Sequence, residues 1–304
     1  MKVLPVFKAL SDPTRLRIMN LLLNHELNVN EIVEILDIGQ SGISRHLKIL
    51  TDSELLKKRK DGLWSFFSAE KGNTKKTLID ILPSLLENEI QITADNKTAK
   101  KVLKQRTEKS IQLFDSLAPH WEQMKISLFG KTDINEIILS GIFNSVVCAD
   151  LGCGTGDLIE GLIQKAKTVI GVDSSPQMIA HTRKRFAAES GKVEVRMGEL
   201  EHLPLREGEA DTAICNMVLH HLPEPLAGLV EINRILKPKG QLIIADFSGH
   251  TSEMMRSRYG DRWLGFQIKE LQDWLVRAGF AIVDKKEIAI TKELTVLVLS
   301  AGKQ

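Results

Sequence analysis

The chain has 304 residues, 43% hydrophobic and 26% charged, which is the composition of a folded protein long enough for two domains. With 41 Lys+Arg against 39 Asp+Glu, its net charge of +2 excludes a uniformly basic nucleic-acid-coating protein. The longest uncharged run, 137–149, is too short for a membrane helix, which needs about 18 apolar residues, and the segment around Lys2, Lys8 and Asp12 does not read as a signal peptide.

Charge is unevenly spread along the chain. Residues 1–76 hold 13 basic against 9 acidic side chains, and the remaining 228 hold 28 against 30. A basic front end on a slightly acidic body is expected where only one domain meets phosphate. Within the front end, Ser11-Asp12-Pro13-Thr14 predicts a helix start, with Asp12 as cap and Pro13 at the first helical position. A second helix is expected over about 30–36, followed by a turn at Asp37-Ile38-Gly39 and a third helix over about 40–50. On that third helix Ile43, Leu47 and Leu50 share one face, while Ser41, Ser44, Arg45 and Lys48 lie opposite. This is helix-turn-helix patterning. Leu55 to Lys60, a turn at Asp61-Gly62, and Leu63 to Phe67 then predict a β-hairpin wing carrying Lys57-Lys58-Arg59-Lys60.

These three motifs, Phe7 to Ile18, Ser41-Gly42-Ile43-Ser44-Arg45-His46-Leu47-Lys48 and the basic wing, resemble the arsenic-repressor (ArsR/SmtB-type) family of winged-helix regulators over about residues 5–90. The resemblance implies operator DNA as partner, read by Gln40, Ser41, Ser44, Arg45, His46, Lys48, Lys58, Arg59 and Lys60. It also implies a homodimer formed through terminal helices, which makes 78–90 a candidate dimer helix. One departure is clear. The Cys-x-Cys pair of metal-sensing members is replaced by Glu26-Leu27-Asn28-Val29-Asn30, and no cysteine precedes Cys148. No metal site is therefore expected.

From Thr74 to about Lys131 the chain is polar and Lys-rich with helically spaced apolar residues; Pro83 interrupts the first pattern, and Asp95-Asn96-Lys97-Thr98 reads as a break with a fresh helix start. Beyond it, β-rich runs at 146–150, 168–173, 193–197, 212–216 and 241–246 alternate with helical stretches, predicting a parallel sheet covered on both faces. The expected organisation is multidomain: an α+β winged helix-turn-helix at 1–92, a helical linker and lid at 93–133, and an α/β Rossmann-like domain at 134–304.

The first of these strands enters Asp150-Leu151-Gly152-Cys153-Gly154-Thr155-Gly156. Glycines allow close ligand approach, but a glycine trio alone is also compatible with a dinucleotide site. Here the spacing is G-x-G-x-G behind an acid, and the next strand ends at Asp173-Ser174, where a carboxylate can accept ribose hydroxyls. Together with Gly198-Glu199-Leu200, Asn216 and Leu236-Lys237-Pro238-Lys239-Gly240, the pattern resembles the class I S-adenosylmethionine-dependent methyltransferases over about 108–300. The resemblance implies S-adenosylmethionine or S-adenosylhomocysteine as ligand. Asp150, Gly152, Gly154 and Gly156 fall to its methionine end, Asn216 to the methionine or methyl end, Asp173 to the ribose, and Glu199 and Leu200 to the adenine, with Ser174 a further cofactor-binding residue. Phe114-Asp115-Ser116-Leu117 with Trp121 resembles a cofactor lid, or alternatively packs between domains.

No acceptor chemistry is legible. Asn216-Met217-Val218-Leu219 stands where an amino-group methylase would carry N/D-P-P-Y, and His220 or His221 is a candidate base, or else a helix cap and a solvated residue. The three cysteines, at 148, 153 and 215, are an odd number without a paired framework, as in a reducing cytoplasm. Cys148 falls in a buried strand, Cys153 in the glycine loop and Cys215 in another strand, which disfavours arsenite methylation, a reaction that needs several converging thiols. Two functions are expected from these motifs. One is a DNA-binding regulator that senses the cofactor; the other is a small-molecule methyltransferase carrying its own regulatory domain.

Overall fold

The computed structural model describes residues 3–70, 76–87, 89–130, 132–143 and 145–304. Thr74 and Lys131, the expected ends of the connecting segment, lie outside the described residues. The chain forms two units, Met1–Lys109 and Ser110–Gln304.

In the first unit, α1 (Leu4–Leu10) precedes α2 (Pro13–Asn24), and Asp12 accepts the Arg15 N–H at 3.0 Å to cap α2. After the two-residue strand β1 (Leu27–Asn28) comes α3 (Val29–Leu36). It starts one residue earlier than expected because Asn28 and Glu31 form a reciprocal capping box, satisfying two end donors at once. Asp37, left-handed at φ 53°, ends α3, and α4 (Gln40–Asp52) follows with Ile43, Leu47 and Leu50 buried. The wing is β2 (Leu56–Asp61) and β3 (Trp64–Ala69), with β3 central between β1 and β2. Asp61 pairs with Trp64, so the two-residue loop is Gly62-Leu63 rather than Asp61-Gly62. Gly62 supplies the positive φ of 56° that a tight hairpin turn requires.

Helix α5 (Lys76–Leu86) runs through Pro83, and α6 (Ile90–Leu117) is continuous across the expected break at Asp95-Asn96-Lys97-Thr98. The reason is tertiary. Asp95 is buried and accepts two hydrogen bonds, at 2.7 and 2.8 Å, from the Arg17 guanidinium, while Asn20 donates to Asn96 at 2.8 Å. Side chains that would cap a helix start are spent holding α6 against α2. Arg106 extends the seam to Glu31 at 2.9 Å.

In the second unit, α7 (Trp121–Phe129) and α8 (Ile134–Ser140) precede β4 (Ser145–Leu151). Then come α9 (Asp157–Leu162), β5 (Ala166–Asp173), α10 (Pro176–Arg185), β6 (Val193–Met197), β7 (Ala210–Asn216), α11 (Pro225–Ile235) and β8 (Leu236–Phe247). Finally α12 (Ile268–Arg277), β9 (Phe280–Ala289) and β10 (Thr295–Lys303) complete it. The seven strands run in the order β6-β5-β4-β7-β8-β10-β9. Five are parallel, as expected; the antiparallel pair β9 and β10, which sequence patterning did not reveal, extends the sheet beyond β8. Apolar clusters cover both faces, one including Leu229, Ile232 and Phe280, the other Ile138, Ile159 and Val296. Strand order reverses between β4 and β7, and the carboxyl ends at such a switch point leave a crevice for a ligand.

Candidate functional site

The glycine turn after β4 is fixed by its own backbone. Gly152 and Cys153 both donate N–H groups to Val172 O, at 2.7 and 2.9 Å, tying the turn to the end of β5. Gly152 has φ 76°, and a Cβ there would lie 2.4 Å from Val218, so no side chain fits. Gly154 differs. Its missing Cβ would meet only the Trp121 indole, at 3.6 Å, so this glycine holds space open beneath an aromatic ring. Asp173 braces the loop, accepting the N–H of Gly154 at 2.9 Å and that of Ser175 at 2.8 Å.

A cavity of about 460 Å³ opens at the switch point, lined by Asp150, Gly152, Gly154, Asn216, His220 and His221 among others. Gly156, Asp173, Ser174, Glu199 and Leu200 do not line it. Asp173 and Ser174 sit at the end of β5, and Glu199 and Leu200 beyond the end of β6, so they follow the sheet's carboxyl edge away from the cavity. Glu199 is exposed and Leu200 buried.

The cavity is electrostatically unusual. Asp150 is 2% exposed, and among the described residues its Oδ2 has no hydrogen-bond partner. Burial, reinforced by the negative charges of Asp173 and Asp157, raises its carboxyl to about 7. Asn216 donates to Asn135 Oδ1 at 3.1 Å, but its own Oδ1 is likewise buried without a partner. Two orphaned acceptors aimed into one cavity suit a ligand that brings N–H donors and positive charge. At one side Lys125 and Arg185 both pair with Asp157, holding that carboxyl below its usual range against the cost of burial.

The predicted lid segment lies over the loop. Asp115 accepts from Ser175 Oγ at 2.5 Å and from Gln177 N at 3.2 Å. Phe114 stands edge-on to both Trp121 and His221, with ring centroids 6.2 and 4.8 Å away.

His220 is buried rather than a helix cap, and His221 is half-buried. The His220 Nδ1 lies 2.6 Å from Asp246 Oδ1 and its Nε2 3.6 Å from Asp261 Oδ1. Burial opposes its charge, but the two aspartates prevail and hold it at about 9. His221 lies with its ring centroid 4.0 Å from that of His220; burial and the neighbouring positive charge push it well below the ordinary histidine value. Asp246 escaped sequence reading as a site residue, whereas Asp261 belongs to the 250–263 stretch expected on the acceptor side. Asp246 had one available signal, a lone acid near the carboxyl end of an apolar strand.

In the first unit the expected DNA-reading residues divide. Gln40, Ser41, Ser44, Arg45 and Lys48 project from the exposed face of α4, and Lys58 and Lys60 from β2. Arg59 and His46 are turned inward instead. Arg59 alternates to the other side of β2, where Glu26 and Asp61 bind its guanidinium at 2.8 and 2.5 Å and the Phe66 ring packs 4.5 Å from it. His46 faces the α2 cap, its Nδ1 3.9 Å from Asp12.

Comparison with known families agrees with both halves. Residues 12–58 match the family described as bacterial regulatory protein, arsR family, and residues 149–244 match the methyltransferase domain family. An uncharacterised 37.1 kDa protein of a Streptomyces fradiae transposon is 39% identical over 101 residues, 32% of this chain and 29% of that protein. The demethylmenaquinone methyltransferase of Lactiplantibacillus plantarum is 31% identical over 45% of this chain and 61% of its own length. The ubiquinone/menaquinone biosynthesis C-methyltransferase of Geobacter sp. is 24% identical over 52% and 71%. Among solved structures, the [4+2]-cyclase SpnF superposes with a TM-score of 0.54 at 18% identity, covering 63% of this chain and 94% of the cyclase. That likeness concerns fold alone. Among the described residues no helix is long and apolar enough to cross a membrane.

Proposed function

From a chain that joins a DNA-binding domain of the arsR regulator family to a class I methyltransferase domain, we propose a transcriptional regulator that uses S-adenosylmethionine or S-adenosylhomocysteine as its effector. The observation that carries this reading is a winged helix with Ser41, Ser44, Arg45 and Lys48 on the open face of α4, in the same chain as a nucleoside-type glycine loop. Asp150 and Asn216 would hold the ligand's cationic amino-acid end, Gly152 and Gly154 would let it approach the backbone, and Asp173 would accept the ribose hydroxyls. Glu199 and Leu200 would meet the adenine.

Exposed apolar side chains on α1 (Leu4, Phe7) and α5 (Ile81, Leu85) support a homodimer of this cytoplasmic regulator on a two-fold operator. Switching requires that the ligand bind the DNA-competent and incompetent states with different affinity. The test is a titration of DNA selected by the chain from a random pool, with neither ligand or with each, at fixed salt. A shift of about fivefold or more with one ligand supports the reading. Equal affinity in all three conditions rejects it.

A second reading rests on the cavity's extension past the glycine loop to His220 and His221. That room admits a small acceptor, as in a working methyltransferase whose winged helix regulates its own expression. The named C-methyltransferase and demethylmenaquinone methyltransferase relatives favour it, whereas the cyclase neighbour warns that this fold does not by itself assign methyl transfer. Release of S-adenosylhomocysteine in the presence of candidate acceptors separates the two readings.

A further inference from the structure

One end of the cavity gathers groups that neither the glycine loop nor the DNA surface uses. His220, His221 and Asp261 each bring a ligand-type atom within 4.8 Å of the others, and all three line the cavity. We propose that His220, His221 and Asp261 form a binding site for a divalent transition-metal ion.

Three observations converge on it. The first is orientation. His220 points Nδ1 at Asp246 Oδ1, 2.6 Å away, and His221 points Nδ1 at Gly260 O, 3.4 Å away. Each imidazole therefore sets its Nδ1 against an oxygen acceptor, and His220 turns its Nε2 toward Asp261. A carboxylate or carbonyl behind the histidine is the arrangement that fixes tautomer and ring direction in metal-bound histidines.

The second is spacing. His220 Nε2 and Asp261 Oδ1 are 3.6 Å apart, the separation of two donors that each stand about 2 Å from a shared ion. His221 brings a ring nitrogen within 4.8 Å of both.

The third is charge. Asp246 and Asp261 are both buried, at 0% and 2% exposure. The two carboxylates flank the His220 ring, whose centroid lies 4.0 Å from that of His221. A divalent ion held by the two imidazoles would place its charge beside both buried carboxylates. The backbone fixes the arrangement, because Arg262 and Trp263 both donate N–H groups to His220 O at 2.9 Å.

A two-imidazole, one-carboxylate donor set suits zinc, manganese, cobalt, nickel or iron(II) better than calcium or a thiolate-seeking metal. Three protein ligands leave coordination positions facing the cavity, where an oxygen of a small molecule would bind. The site does not depend on which ligand the glycine loop takes, so it can fail without touching the effector reading.

The experiment uses the full, tag-free chain stripped with chelator, without nucleoside ligand. Zinc titration calorimetry is expected to give one tight equivalent per chain, and cobalt(II) to give a visible absorption band from bound imidazole nitrogen. Zinc is also expected to raise Tm. His221→Ala and Asp261→Asn should each weaken binding by at least about tenfold, and Asp246→Asn by about 10- to 100-fold through the supported histidine. Circular dichroism of each variant checks folding; should one fail to fold, the wild-type stoichiometry and cobalt band decide. Absence of a tight equivalent in the wild-type chain, or undiminished affinity in folded His221→Ala and Asp261→Asn chains, overturns the proposal. The cluster would then be an imidazolium bridging two carboxylates.

Discussion

The two units display charge differently, although each buries acids, Asp95 in the first being paired with Arg17. On the winged helix, Arg45, Lys48, Lys58 and Lys60 stand in solvent, while the inward-turned Arg59 is tied to Glu26 and Asp61. In the second unit, acids are buried: Asp150, Asp246 and Asp261 are at most 2% exposed. Exposed cations attract a polyanion cheaply because they keep their hydration until contact. Buried carboxylates demand a cation that fits. One unit is therefore suited to a long, repetitive partner and the other to a small one.

The largest effect that tests this contrast is expected at Asp173. Asp173→Ala removes the proposed ribose acceptor and frees the N–H groups of Gly154 and Ser175. S-adenosylhomocysteine affinity, read by calorimetry, should fall by about 100-fold or more. Retained affinity would overturn the ribose assignment.

Asp150 gives the next effect, in pH. Its carboxyl is raised from 3.8 to about 7, so the folded chain holds a proton that the unfolded chain has lost. The stability this contributes is full below pH 3.8, is lost as pH rises to about 7, and is absent above it. A ligand ammonium needs the ionised form, so affinity should climb about tenfold per unit up to pH 7 and then level off. Asp150→Asn should flatten both profiles; an unchanged slope would remove Asp150 from the ligand's cationic end.

On the DNA side, Arg45→Ala should cost about 1–3 kcal/mol of discrimination between selected and random DNA if the side chain reads a base. Unchanged discrimination with weaker overall binding would make it a phosphate contact. Arg59→Ala should instead lower unfolding stability by about 1–2 kcal/mol, since its ion pairs with Glu26 and Asp61 are lost. The smallest effect belongs to Lys58→Ala. Its stability should stay within about 0.5 kcal/mol of wild type, while the salt dependence of DNA binding loses about one phosphate's worth of slope. Should Lys58 and Arg59 behave alike, the division of the wing into an outward and an inward face is wrong.

Much of this was written locally in the sequence. The Asp12-Pro13 start, the apolar stripe of α4 and the acid-led glycine turn are short-range signals, because capping, helical periodicity and positive φ are each decided within a few residues. Where a local signal competed with a distant partner, the distant partner won. Asp95 and Asn96 look like a helix start, but Arg17 and Asn20 claim them and α6 runs on. Arg59 reads as one member of a basic run, yet strand alternation and Glu26 turn it inward.

The sequence by itself determined the two-domain plan, the recognition helix and the order of the glycine loop and its acids. Only the tertiary structure decided which of those side chains share a cavity. It joined His220 to Asp246, 26 positions away, and to Asp261, 41 positions away. No periodicity reports such contacts, because they depend on how β7, β8 and the segment after β8 converge at one edge of the sheet. Burial then altered the chemistry of those groups, raising the Asp150 carboxyl and separating His220 from His221 in charge. Desolvation is a property of the assembled fold, and no residue carries it alone.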